Sequence, residues 1–133
     1  MRDLPTFQCM TCGVEKTAKL QNTNRYCSIF CQQEFRHRAY IKEWKAGLQD
    51  GRKGLLQTSN HIHRYILKKQ DGKCALCEIE DWNDQPITLE LDHIDGDGAN
   101  NKEENLRCIC PNCHSQTPTY RSKNNGKGRK GRK

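Results

Sequence analysis

Apolar side chains are sparse along this chain, and they recur with two different periods. Phe30, His37, Ile41, Trp44 and Leu48 follow one another at steps of three, four or seven. That period predicts a helix running to about Ala46, with Ser28 as its N-cap and Gly47 as its stop. Ile62, Tyr65, Ile66 and Lys69 share one face of a second predicted helix, capped by Thr58, Ser59 or Asn60 and ended by Asp71 and Gly72. Its other side presents His63, Arg64 and Lys68. Between the helices, residues 47–57 carry three glycines and mixed charge, which predicts a linker. After an acidic, loop-like stretch at 78–85 that Pro86 closes, the period changes to two. Thr88 to Ile94 alternates Leu89 and Leu91 with Glu90 and Asp92, as a strand does. Gly96 and Gly98 mark a turn, Leu106 to Ile109 a returning strand, and Pro111 the start of a helix whose N-terminal end holds Cys110 and Cys113.

This patterning leaves little to bury. Of 133 residues 33% are hydrophobic, and the mean hydropathy is −1.04. A large apolar core is therefore excluded, and domains this poor in apolar surface usually need cross-links or metals. Eight of the nine cysteines form four close pairs: Cys9/Cys12, Cys27/Cys31, Cys74/Cys77 and Cys110/Cys113. These are zinc-knuckle spacings. Met1 to Leu20 has no continuous apolar run, which argues for a reducing compartment and for zinc over disulfides. No run approaches the roughly 20 apolar residues of a membrane span. A cytoplasmic protein of a bacterium or phage-infected host is expected. The expected organisation is a small α+β fold stapled by two structural zinc ions. A four-cysteine finger with its helix fills residues 1–46 and a linker residues 47–57; a second zinc unit with a leading helix fills 58–121, and a basic tail 122–133. The finger's role stays open between a structural clip, a nucleic-acid contact and a protein contact. Cys108, the unpaired cysteine, reads as a small buried hydrophobe.

Charge adds a partner. The net charge is +7, and the excess lies at the ends: six basic and three acidic groups in residues 1–39, ten and thirteen in 40–118, seven and none in 119–133. Such a distribution fits phosphates held at the periphery and cations at the centre. The tail residues Arg121, Lys123, Lys127, Arg129 and Lys130, with no apolar periodicity around them, are candidate phosphate contacts and are expected to be disordered alone. Arg64 and Lys68 are candidates as well, beside the ordinary reading of a solvated polar helix face.

The central chemistry lies between Leu89 and Gln116. Asp92 and His93, adjacent on a strand, point to opposite sides, so one can bind metal while the other works on water. Neighbours on a helix are about 100° apart, so Cys113 can face zinc while His114 faces the hairpin. A second cation site made by Asp92 and His114 follows. With one hard oxygen, one imidazole and open positions it suits Mg²⁺ or Mn²⁺ and tolerates Ni²⁺ or Zn²⁺. His93, with a reference pKa of about 6.5, is then free to act as a general base. Asn105 is placed to bond the backbone of the 96–101 loop and hold the strand end that aims His93. A calcium loop beginning at Asp95 fails in register, since it would need oxygen ligands or glycine where Ala99, Asn100 and Leu106 stand.

The residues Leu91-Asp92-His93-Ile94-Asp95-Gly96, Glu104-Asn105-Leu106 and Cys110-Pro111-Asn112-Cys113-His114-Ser115-Gln116 resemble the HNH endonucleases of the ββα-metal fold. The likeness covers roughly residues 72–123 and is greatest to the phage and intron-associated homing type, which also carries two Cys-x-x-Cys pairs and, in larger members, a preceding finger. It implies a treble-clef-like ββα-metal module that cuts or nicks DNA, leaving a 5′-phosphate and a 3′-hydroxyl. By the same resemblance Asp92 and His114 hold the catalytic divalent ion, His93 is the general base, Asn105 orients it, and Cys74, Cys77, Cys110 and Cys113 hold zinc. Asp92 stands where the family often has His, a variant that favours harder cations. The rival expectation is a non-catalytic zinc protein that binds nucleic acid or other proteins; it has no use for His93.

Overall fold

Among the described residues, four pairs of short strands and three α-helices build two units, Met1–Glu43 and Trp44–Lys133, in the computed structural model. It describes residues 4–20, 24–54 and 57–119. The basic tail with Arg121, Lys123, Lys127, Arg129 and Lys130 lies outside the described residues.

In the first unit β1 (Thr6–Gln8) pairs antiparallel with β2 (Glu15–Thr17), Phe7 opposite Lys16. This hairpin was not legible in the sequence because three-residue strands are too short to show a period. Its turn is the first cysteine knuckle, closed by Cys9 N–H on the Val14 carbonyl and Gly13 N–H on the Cys9 carbonyl, both 2.9 Å. Gly13 sits at φ +77°, a left-handed conformation that glycine adopts without strain. Helix α1 (Ile29–Lys45) follows, its first turn capped by the Ser28 hydroxyl, which accepts from Cys31 N–H at 3.2 Å. Gly47, at φ +81°, ends it by donating to the Trp44 carbonyl. The last residues of α1, from Trp44, belong to the second unit.

Part of the stretch expected as a linker is a hairpin. β3 (Arg52–Lys53) pairs with β4 (Gln57–Thr58), and Ser59 N–H closes it on the Gly51 carbonyl at 2.7 Å. Gly51 is there for packing as well as for its turn. A Cβ on it would lie 2.7 Å from the Asn101 Cβ and 2.8 Å from the Ile62 Cδ1. Helix α2 (Asn60–Lys69) has Ser59 as its cap and buries Ile62 and Ile66, while Asp71 and Gly72 turn left-handed just beyond it. The acidic stretch expected as a loop also contains a hairpin, β5 (Asp81–Trp82) with β6 (Gln85–Pro86). Asn83 and Asp84 both take positive φ in its two-residue turn, the backbone of a type I′ connection.

The central ladder is β7 (Glu90–His93) against β8 (Leu106–Ile109), with Asp92 opposite Arg107 and His93 opposite Leu106. It is shorter than the expected Thr88 to Ile94. Helix α2 packs on β8, where Ile62 and Ile66 join the buried Cys108 and Ile109, and the five-residue α3 (Pro111–Ser115) packs on β7. Trp44 anchors the start of the unit, its indole N–H on the Asn101 carbonyl at 2.8 Å and its ring edge-on to Tyr65. The whole is a small α+β fold with open two-stranded sheets and two four-cysteine clusters, ββα-like in its second unit.

Candidate active site and metal centres

Thiols converge twice. Cys9, Cys12, Cys27 and Cys31 form one cluster and Cys74, Cys77, Cys110 and Cys113 the other, their sulfurs all within 4.8 Å of one another. Sulfur separations of 3.5 Å (Cys27 to Cys31) and 3.7 Å (Cys12 to Cys27, Cys77 to Cys110) are close to the tetrahedral edge of about 3.8 Å that Zn–S bonds of about 2.3 Å require. The protonation pattern agrees. Backbone N–H groups, chiefly that of Cys12, bring Cys9 down to about 6. Burial works against Cys74, yet the backbone amides of Cys77, Cys110 and Leu76 outweigh it and bring this thiol to about 6 as well. Cys31, through its bond with Cys27, and Cys113, through burial, are pushed up to about 12. Four thiolates this close repel unless a cation replaces their protons, which is what a closed structural zinc site supplies. Cys108 stands apart, fully buried with its thiol raised to about 12 by burial alone.

Beside the second cluster lies a different constellation. Asp92, only 5% exposed, projects from β7 and its Oδ2 accepts from the Arg107 guanidinium at 2.8 Å. The pair is the cross-strand partnership of the ladder register. Its other oxygen, Oδ1, faces the His114 Nε2 at 3.7 Å. His114 follows the zinc-cluster residue Cys113 on α3, and its Nδ1 is hydrogen-bonded to Glu90. The imidazole is thereby held with Nε2 toward Asp92. Two donors 3.7 Å apart fit one hard cation, since two bonds of about 2.1 Å can span up to about 4.2 Å. The sequence reading missed Glu90 and Arg107 as partners. Both were within reach of it: Glu90 is two residues before Asp92 on one strand face, and Arg107 lies directly across the ladder.

His93 heads away from Asp92 along the strand. Its Nε2 lies 2.7 Å from the Asn101 Oδ1 and 3.4 Å from the Thr58 hydroxyl, which itself donates to Asn101 at 3.1 Å. Asn105 does not bond His93. Its amide nitrogen donates to the Asn100 carbonyl and to Asp95 Oδ1, and its oxygen accepts from Asp95 N–H, all at 2.9–3.0 Å. It ties the loop back to the end of β7 from a position only 8% exposed. Asp95 and Asp97 turn inward to backbone N–H groups of their own loop. Burial opposes the Asp95 charge, but hydrogen bonds from Asn100, Asp97 N–H and Asn105 outweigh it and hold its pKa below the usual range. These bonds leave the two carboxylates serving the loop, as the failed calcium register implies.

On α2, Arg64 and Lys68 line an open depression of about 490 Å³ with Asn60, His63 and Leu67. His63 is not part of a free polar face, because its Nε2 bonds the Leu89 carbonyl at 3.1 Å and straps α2 to the residue preceding β7. Among the described residues no helix is long and apolar enough to cross a membrane.

The chain is 39% identical over 93 residues, 68% of its length, to the H-N-H endonuclease F-TflIV of Escherichia phage T5. The match spans 41% of that relative. Neither a family model nor a solved structure matches the chain. With a ββα-like hairpin and helix standing on the second of two four-cysteine clusters, this similarity makes the chain an HNH-endonuclease homologue.

Proposed function

We propose that the chain is a divalent-metal-dependent DNA endonuclease that hydrolyses phosphodiester bonds, nicking one strand or cutting both. The observation that carries this reading is the approach of Asp92 Oδ1 to His114 Nε2 beside the zinc-type cluster, with His93 projecting from the same strand. A closed four-cysteine site stabilises a fold, whereas an acid and an imidazole with open positions suit catalysis.

Asp92 and His114 hold the cation, Mg²⁺ or Mn²⁺ by the hardness of the carboxylate, with Ni²⁺ or Zn²⁺ tolerated by the imidazole. When bound there, such an ion supplies positive charge to the phosphate and to the departing oxygen. Arg107 fixes the Asp92 carboxylate and Glu90 the His114 ring, so both ligands keep their aim before a cation arrives. His93 takes the proton from a water whose oxygen forms the new bond to phosphorus. The P–O3′ bond breaks, leaving a 5′-phosphate, and the 3′-oxygen takes a proton from solvent. Asn105 stiffens the loop that follows the strand bearing His93. Arg64 and Lys68 contact the DNA backbone at the depression on α2, and the tail lysines and arginines add contacts of the same kind.

The test uses supercoiled plasmid and the zinc-loaded protein with Mg²⁺ or Mn²⁺. Nicked or linear product from the intact protein, reduced by about 10²–10⁴-fold in His93→Ala with unchanged zinc content, is the expected result. No product with any divalent ion would leave a zinc protein that binds nucleic acid or protein without cutting.

A further inference from the structure

We infer that Asn101 is the positioning residue of His93, and that it selects Nδ1 as the nitrogen that accepts the proton from water. The inference rests on the nuclease reading and gives to Asn101 the orienting role that the resemblance assigns to Asn105, whose side chain bonds Asp95 and Asn100 instead.

Asn101 stands outside the residues that carry the HNH resemblance, yet it is 5% exposed and every polar atom that concerns His93 is engaged. Its amide nitrogen donates to the Asp50 carbonyl at 3.3 Å. A carbonyl can only accept, so this contact turns Nδ2 toward Asp50 and Oδ1 toward His93. Oδ1 receives the Thr58 hydroxyl at 3.1 Å and faces His93 Nε2 at 2.7 Å. An oxygen acceptor at that distance requires the proton of the neutral imidazole to sit on Nε2, and the lone pair then belongs to Nδ1. With Thr58 donating its proton to Asn101, the hydroxyl can present only a lone pair to Nε2–H at 3.4 Å, which favours the same tautomer.

Asn101 is itself fixed from three sides. The Trp44 indole N–H holds its carbonyl at 2.8 Å, Asp50 holds its amide, and Gly51 packs under its Cβ where any larger residue would collide. The segment from Trp44 to Gly51, which reads in the sequence as a helix end and the start of a linker, is therefore, together with Thr58, the support of the catalytic strand. Tautomer and ring orientation follow from a buried amide that loses its partners if this segment shifts.

Two readouts test the assignment on the full-length, zinc-loaded protein. The first needs neither DNA nor a divalent ion. Ring ¹⁵N shifts of His93 are expected to report a single Nε2–H tautomer in the native protein and a mixture in Asn101→Leu, with Asn101→Asp keeping the single form because it keeps an oxygen acceptor. The second is steady-state cleavage. Asn101→Leu is expected to lower kcat by about 10- to 100-fold, a part of the 10²–10⁴ that a positioned base supplies, with little change in KM, and Asn101→Asp to recover most of it. Thr58→Val removes one of the two partners without opening the core and is expected to give a smaller change in the same direction. An unchanged His93 spectrum in Asn101→Leu, or a folded Asn101→Leu protein that cuts at the native rate, would overturn the assignment. Should Asn101→Leu fail to fold, the spectrum of the native protein decides, and one that reports the Nδ1–H form or a mixture of tautomers overturns the assignment. Native protein that never cuts removes the nuclease reading, whereas the ¹⁵N readout still decides whether Asn101 sets the ring.

Discussion

The two four-cysteine clusters are built alike and surrounded differently. Each joins a Cys-x-x-Cys knuckle to a second pair at the start of a helix, and each has one acidified thiol and one thiol pushed up to about 12. Around the first, the strands present Thr6-Phe7-Gln8 and Glu15-Lys16-Thr17, nearly all exposed, and Gln32 follows the last cysteine. Around the second, β7 presents Glu90, Asp92 and His93, and His114 follows the last cysteine. A metal staple is thus not in itself a site of chemistry. What distinguishes the second cluster is a buried carboxylate and an imidazole, each held by its own partner, within reach of a single cation.

The largest expected effect separates the clusters by what their loss destroys. Cys110→Ala should abolish the fold of the second unit, because metal binding of about 10–16 kcal/mol exceeds what its small core can supply. Cys12→Ala should release one zinc and leave cleavage chemistry in place. Zinc stoichiometry, circular dichroism and plasmid nicking on both variants check this, and equal loss of activity would erase the distinction. Next in size, Glu90→Ala should weaken divalent-ion binding by about 10–100-fold, measured by calorimetry or Mn²⁺ resonance, without releasing zinc. Glu90→Gln should retain most of the affinity, since its amide oxygen can still accept from His114. Unaltered affinity in Glu90→Ala would reduce that contact to a surface pair.

The smallest effect concerns Glu103, which accepts from Lys69 at 2.8 Å and from the Tyr65 hydroxyl at 3.1 Å and lies near Lys45. Lys69 foremost holds its carboxyl below the ordinary glutamate range. A depressed carboxylate pKa stabilises above the unfolded value of about 4.3, and that contribution is lost as pH falls through the folded value. The pair is partly exposed, so Glu103→Gln should cost less than about 1 kcal/mol at pH 7. The difference from the native protein in denaturant melts should stay level from pH 7 to about 5 and vanish in more acidic solution. A difference that grows on acidification would contradict the ion pairing.

Much of the architecture was legible because it is local. The α2 face with Ile62 and Ile66, the Ser28 cap, an α2 cap among Thr58, Ser59 and Asn60, Pro111 at the start of α3 and the four cysteine pairs all announce themselves within a few residues. The three small hairpins were not, since strands of two or three residues hold too few alternations to show a period, and one of them lies in a stretch whose glycines read as a linker. Gly51 illustrates the limit. A glycine next to Asp50 signals a turn, and only the fold shows that Asn101 and Ile62 occupy the space a side chain would need.

By itself the sequence determined which side chains are available as ligands. Two sets of four thiols, an Asp-His pair on a strand and a histidine after a cysteine are chemical identities at spacings that few folds can use otherwise. Tertiary structure alone decided how those groups are aimed. Glu90 turns His114, Arg107 turns Asp92, and Asn101, reaching across from a loop to meet Trp44, Asp50 and Thr58, sets His93. The orientation of a ring or a carboxylate is fixed by hydrogen bonds from residues far away in the chain, and hydrophobic periodicity carries no record of them.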